Sequence, residues 1–216
     1  MTERLARLMA EHAGKSRRNV DRDPWIQTFS GRAFFLLDPK PDDILLEDVA
    51  HALAHQARYN GHTRTFYSVA QHSVLVSRYP LLVGDPSMIG GRGNASAWGR
   101  VYPHLPRWGF GHDWSEAYVG DVVGPLKKIL PDYRVIEERI ERAVCARLDL
   151  PWPMPRWVKD ADNAVMLAER LSLLSKPYPG TWPDYGVDPW PSAVIAVGPA
   201  QAKAMFLRRA AELGIR

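Results

Sequence analysis

Cysteine is nearly absent from this sequence: Cys145 stands alone in 216 residues. A single thiol excludes a disulfide framework and makes a reducing cytoplasm the expected compartment. It lies in the helical-looking stretch IEERIERAVCARL, where an inert packing role is the expectation. Long apolar runs are missing too. None reaches the roughly 20 residues of a membrane-spanning helix, and the first residues, MTERLARLMAEHAGKSRR, lack the apolar centre of a signal peptide. No membrane partner is expected. Strong charge of one sign is also lacking: 28 Lys+Arg against 24 Asp+Glu leave +4, compatible with an anionic small molecule. Lys15 to Arg18 is basic, but no nucleic-acid motif accompanies it, so a solvated tail is expected and no nucleic-acid partner. Repeats and low-complexity stretches are absent. A chain that is 46% hydrophobic can bury one sizeable core, giving a single domain over 1–216 with 1–20 as a flexible extension.

What is present reads as mainly all-α with a small β-hairpin near the N-terminus. Trp25 to Phe29 and Ala33 to Leu37 flank Ser30-Gly31, a hairpin pattern. Asp42 or Asp43 should cap a helix reaching Ala57. Ser68-Val-Ala-Gln71 is a capping-box pattern that starts a helix over 67–78, with His72 in its second turn. Residues 84–106 read as an irregular insertion or lid. One helix from Gly109 should hold His112, Asp113 and Glu116, although Trp108-Gly-Phe-Gly111 weakens its start by about 1 kcal/mol per glycine. Pro125 opens a short helix, and Asp132 caps a longer one carrying Ile136, Ile140, Val144 and Leu148. Val158, Ala161, Val165, Ala168 and Leu171 mark the apolar stripe of another helix, with Asp162 on or beside it. Residues 177–191 are rich in proline and tryptophan and read as ordered but irregular. A last helix runs from Pro199 to Leu213 and ends at Gly214.

Four residues on three of these helices carry the chemistry: His72, His112, Asp113 and Asp162. Imidazole nitrogens with carboxylate oxygens suit one divalent transition metal such as Mn, Co, Zn, Fe or Ni, and such a set leaves coordination positions for water and substrate. A lone buried histidine, or an aspartate in an apolar stripe, has ordinary structural explanations; the combination points to a site. Glu116, one turn beyond the His-Asp pair, is the candidate acid/base. Asp121 is placed to orient it. Arg58, Arg64 and Lys127 flank these blocks and are candidate grips for a polyphosphate. His51 and His55, four apart, could form a second metal pair, but packing is the expectation.

Three blocks resemble a known family: Gly61-His-Thr-Arg-Thr-Phe-Tyr-Ser-Val-Ala-Gln-His-Ser73, His112-Asp-Trp-Ser-Glu-Ala-Tyr-Val-Gly-Asp121 with Pro125-Leu-Lys127, and Val158-Lys-Asp-Ala-Asp162. Over about residues 42–215 the chain resembles the HD-domain phosphohydrolases, in the branch of deoxynucleoside 5'-nucleotidases and phage dATP triphosphohydrolases. The resemblance implies a helical bundle with metal on His72, His112, Asp113 and Asp162, and catalytic Glu116 and Asp121. It also implies that Arg58 and Tyr59 lie near the phosphate and sugar of a nucleotide substrate. The expectation is metal-dependent hydrolysis of a (deoxy)nucleotide phosphoester, with a triphosphate favoured over a monophosphate. A second Mg or Mn ion would accompany the phosphates, and a homo-oligomer is expected. The competing class is a non-enzymatic, metal-containing nucleic-acid-binding module.

Overall fold

Hydrophobic periodicity and turn chemistry place most elements where the sequence puts them. The computed structural model describes residues 1–12, 21, 23–79, 104–176 and 182–216. It is mainly helical, with one two-stranded antiparallel hairpin near the N-terminus. Among the described residues no helix is long and apolar enough to cross a membrane. The Lys15–Arg18 cluster and residues 84–103 of the expected insertion lie outside the described residues.

Helix α1 (Glu3–His12) buries Leu5 and is joined to the rest of the fold through Thr2, whose backbone N–H donates to Asp132 at 2.7 Å. Strands β1 (Trp25–Gln27) and β2 (Ala33–Phe35) pair with Ile26 opposite Phe34. Gly31, at φ +84°, closes the turn between them in a conformation that only glycine adopts freely. Ser30 ties the hairpin to α2 (Leu46–His55), donating from N and Oγ to Asp48 at 2.6 and 2.8 Å. That helix starts later than expected. Asp42 and Asp43 sit instead in a separate 3-10 turn over Pro41–Asp43, because the fully buried Ile44 enters the core in an extended conformation.

Helix α3 (Val69–Ser77) starts as read from sequence, with Ser68 Oγ accepting from Gln71 N at 3.2 Å. The Gln71 side chain does not return to the cap, however. It bonds Ile195 O at 2.7 Å and Val197 N at 3.0 Å, pinning a later segment. Eight of the nine α3 residues are buried, so this helix is the centre of the bundle. It packs on α4 (Leu105–Gly111), α8 (Arg156–Leu173), α9 (Pro199–Glu212) and α2. Phe110, Trp114 and Phe206 meet beneath it with ring centres 4.3 to 5.8 Å apart. Fully burying each such ring contributes about 1.5–3 kcal/mol.

Three helical expectations need correction. The helix expected to carry His112, Asp113 and Glu116 is two: α4 ends at Gly111, the chain turns, and α5 spans Glu116–Val119. A side chain at Gly111 would meet Leu148 Cδ1 at 2.5 Å, so the glycine there permits close packing. After the short α6 (Gly124–Lys127), helix α7 (Pro131–Arg147) has Leu130 at its N-cap, with Asp132 inside its first turn rather than capping it. Along α8, Val158, Ala161, Val165 and Ala168 are buried as expected, but Leu171 is 69% exposed. The inward place belongs to Glu169, roughly 200° away around the helix from residue 171.

Candidate metal and acid/base site

His72 projects from the second turn of α3, His112 and Asp113 from the turn after α4, and Asp162 from α8. Their polar atoms converge. His72 Nε2 lies 3.3 Å from His112 Nε2, 3.1 Å from Asp162 Oδ1 and 3.5 Å from Asp113 Oδ2. His112 Nε2 is 3.1 Å from Asp113 Oδ2 and 4.0 Å from Asp162 Oδ1. Bonds of about 2.0–2.2 Å to a common ion put neighbouring donors about 3–3.5 Å apart, so the spacing fits a divalent cation. His72, His112 and Asp113 form the tighter group, with Asp162 on its edge.

The imidazoles are held from behind. His72 Nδ1 is 2.6 Å from Glu169 Oε1, and His112 Nδ1 is 2.8 Å from Gly109 O. An N–H on each Nδ1 leaves the Nε2 lone pair free toward the cluster, as a ligand requires. The backbone acceptor at Gly109 permits no other assignment for His112. Burial and Arg58 press His72 toward neutrality, but Glu169 and the hydrogen bond with Asp162 outweigh them and raise its pKa to about 9. Without a cation this balance favours a proton on His72, and a cation would take the place of the Nε2 proton. Asp162 and Asp113 are held well below the usual carboxylate range. Burial opposes their ionisation, yet the His72 bond and Lys159 outweigh it at Asp162, as His112 and His72 do at Asp113.

Glu169 is a residue that the sequence patterns did not single out. It is fully buried and receives hydrogen bonds from Tyr59 Oη (2.7 Å) and Tyr67 Oη (2.6 Å), with Arg58 Nε 3.4 Å away. A signal existed: Glu169 stands seven residues after Asp162, two turns along the same helical face.

A cavity of 660 Å³ opens on the cluster. Asp113, Asp162, Glu116 and Asp121 line it with Arg58 and Lys127. Glu116 is 4% exposed, and Lys127 Nζ donates to its Oε1 at 3.2 Å while Oε2 has no partner among the described residues. Burial, then Asp113 and Asp121, push Glu116 well above the ordinary range. Burial also raises Asp121. The turn that carries both acids is stapled by Gln56, whose amide donates to Glu116 O (2.9 Å) and accepts from Asp121 N (3.2 Å). Gly120, at φ +83°, ends α5 so that the chain can make that turn. No sequence pattern pointed to Gln56.

The candidate cations separate. Arg58 and Tyr59 line the cavity, and Arg58 Nη1 reaches Asp113 Oδ2 at 3.4 Å. Lys127 does too, but its second partner is Glu137 Oε1 at 2.6 Å, so two carboxylates balance one ammonium. Lys159, which was not singled out in the sequence, lines the cavity and pairs with Asp162 Oδ2 at 2.5 Å. Arg64 is elsewhere. Its guanidinium donates to Ser172 O (2.6 Å) and Leu174 O (2.8 Å), closing the C-terminal end of α8 where carbonyls lack helical partners. His51 and His55 stack on each other at 4.2 Å, with Phe29 on His51 at 3.7 Å, a packing column as expected.

No family model matches the chain. It is 34% identical over 187 residues to the uncharacterized protein YfdR of Escherichia coli, an alignment covering 86% of this chain and 93% of that one. The chain belongs to the YfdR family. An uncharacterized protein of Rhodobacter capsulatus is 37% identical over 165 residues, covering 70% of this chain and 75% of its own. Neither relative's name states an activity, so the chemistry of this YfdR-family protein is argued from the site.

Proposed function

We propose that the chain is a divalent-metal-dependent phosphohydrolase of the HD-domain type acting on nucleotide phosphoesters, with a monophosphate preferred. The observation that carries the reading is Glu116: a buried carboxylate with Oε1 held by Lys127 and Oε2 without a partner among the described residues, beside four donors spaced for one cation. His72, His112, Asp113 and Asp162 would hold the ion. When bound, a divalent ion withdraws charge from a phosphate oxygen and makes water a better nucleophile near neutral pH. Glu116 Oε2 takes the proton from the attacking water, and its raised proton affinity suits that task. Lys127 and Gln56 keep the carboxylate in place. Arg58, between Asp113 and Glu169, presents a cation to the phosphate side of the cavity.

Charge balance favours the monophosphate over the triphosphate that the resemblance also offers. The expected polyphosphate grip is Arg58, Arg64 and Lys127; Arg58 lines the cavity but already faces Asp113 and Glu169. Arg64 caps α8, and Lys127 is matched by Glu116 and Glu137. Lys159 is matched by Asp162. Among the described residues that line the cavity, Lys128 is the one cation with no ion pair, so the extra charges of a triphosphate would meet few cations not already balanced.

The test is incubation with nucleoside mono-, di- and triphosphates plus Mn or Co, with identification of the phosphate product. Orthophosphate from monophosphates is the expected result. Tripolyphosphate release would reverse the choice of substrate, and no release from any nucleotide would remove the phosphohydrolase reading.

A further inference from the structure

The cavity has a second wall that the hydrolytic chemistry does not use. Met166, Trp182, Pro183 and Tyr185 line it together with the acidic and basic groups. Along α8, Asp162 marks the cluster, Met166 follows one turn later, and Arg170 lies eight residues beyond Asp162, about 12 Å along the axis. Arg170 is not a cavity residue. Its guanidinium carbon sits 4.9 Å from the centre of the Trp182 ring and braces the indole from outside the cavity. Trp182 and Tyr185 therefore share one cavity with Asp113 and Asp162 of the cluster, so a single ligand can touch both sets.

The segment bearing these aromatics has no regular structure, yet it is fixed at several points. Trp190 N donates to Ala164 O of α8 at 3.0 Å, and Val194 N to Ser172 Oγ at 2.9 Å. The Gln71 amide clamps Ile195 O and Val197 N, and Asp184 Oδ1 accepts from Gly186 N at 2.8 Å. Trp182 and Tyr185 are partly exposed and lie on the cavity rather than in either hydrophobic core. Two aromatic side chains on the wall of a cavity that also holds Arg58 and the cluster's carboxylates match a ligand that is anionic in one part and planar in another.

We infer that Trp182 and Tyr185 form a subsite for the planar heteroaromatic ring of the substrate, a nucleobase, and select ring-bearing phosphoesters over bare sugar phosphates. The subsite rests on the proposed phosphohydrolase reading only for its link to turnover; ring binding itself is independent of it. The ring lies against the indole and phenol, and its phosphate points toward Arg58 and the four-donor cluster.

Two measurements on the full chain separate the claims. Calorimetry with 2'-deoxyadenosine, which has the ring and no phosphate to lose, is run on the metal-loaded wild type, Trp182→Ala/Tyr185→Ala and Trp182→Phe. Base stacking predicts a Kd at least about 10-fold weaker in the double alanine variant, with most of the affinity kept in Trp182→Phe. The second measurement compares KM for deoxyadenosine 5'-monophosphate and for 2-deoxyribose 5-phosphate. The double variant should lose the preference for the nucleotide while its KM for the sugar phosphate stays unchanged, which also shows that it has folded. Equal deoxyadenosine binding by wild type and double variant, or no binding by the wild type, overturns the subsite. Trp182-dependent nucleoside binding with no phosphate release from either ester would sustain the subsite and remove the phosphohydrolase reading. Release from both esters with equal KM would do the reverse.

Discussion

The two ends of the cavity are built on different physical plans. At the cluster end, helices α3 and α8 meet around buried polar partners: Glu169 alone joins Tyr59, Tyr67, His72 and Arg58. At the aromatic end an irregular segment is pinned mainly by bonds to its backbone, leaving Trp182 and Tyr185 partly exposed. Buried charges tolerate almost no change, because removing one leaves another uncompensated. A side chain on a pinned loop can change without disturbing the core. Substitutions at the first end should therefore alter metal content and stability, and those at the second should alter selection.

The largest expected effect is at the donors. Asp162→Ala and His72→Ala should each lose bound metal and turnover together, as chelation should in the wild type. Elemental analysis that finds full metal content in both variants would break the cluster reading. Next is Glu116→Gln, expected to keep its metal and lose about 10²-fold or more in turnover, the usual scale for a general acid or base. Wild-type turnover, or loss of the ion, would count against that role.

Glu169→Gln sharpens the contrast, since it touches no substrate. Metal affinity should fall by about 10–100-fold, as expected for a carboxylate that orients a ligating histidine. The melting temperature should also drop, because Arg58 and His72 lose their buried counter-charge. An unchanged metal titration curve would show that His72 is oriented by packing alone.

The smallest effect lies outside both ends. Burial first, then Glu137, raise Glu141 from 4.5 to about 7. The folded protein thus keeps a proton there that the unfolded chain releases above about 4.5. Stability from this group falls as pH rises from about 4.5 to about 7, with sign opposite to that of a salt-bridged carboxylate. Glu141→Gln should melt like the wild type at pH 4.5 and higher than it at pH 8, by on the order of 2 °C. A pH-independent difference would rule out the proton as the cause.

Much of this was legible in the sequence where the information is local. Ser68 caps α3 as its spacing indicates, and Gly214, at φ +68°, follows α9 as a helix-ending glycine should. The hairpin pairs as its turn residues indicate. The break between α4 and α5 was not legible, because Gly111 is needed for a contact with Leu148, 37 positions away in the chain. Arg64 and Lys127 looked alike as cations near the motifs. Only their partners separate them: backbone carbonyls of α8 for one and two glutamates for the other.

By itself the sequence determined the helical character, the hairpin, the polar residue types at the cluster and the order in which they occur. These follow from backbone propensity, periodicity and side-chain chemistry, which act over a few residues. Tertiary structure decided that His72 and His112 face each other at 3.3 Å, and that Glu169 rather than Leu171 turns inward. It also decided that Gln56 staples the turn carrying both acids and that Trp182 stands on the cavity wall. Each of these depends on which distant surfaces must be buried together and which buried polar atoms must find partners. That is a condition on the whole packed chain, and no window of sequence contains it.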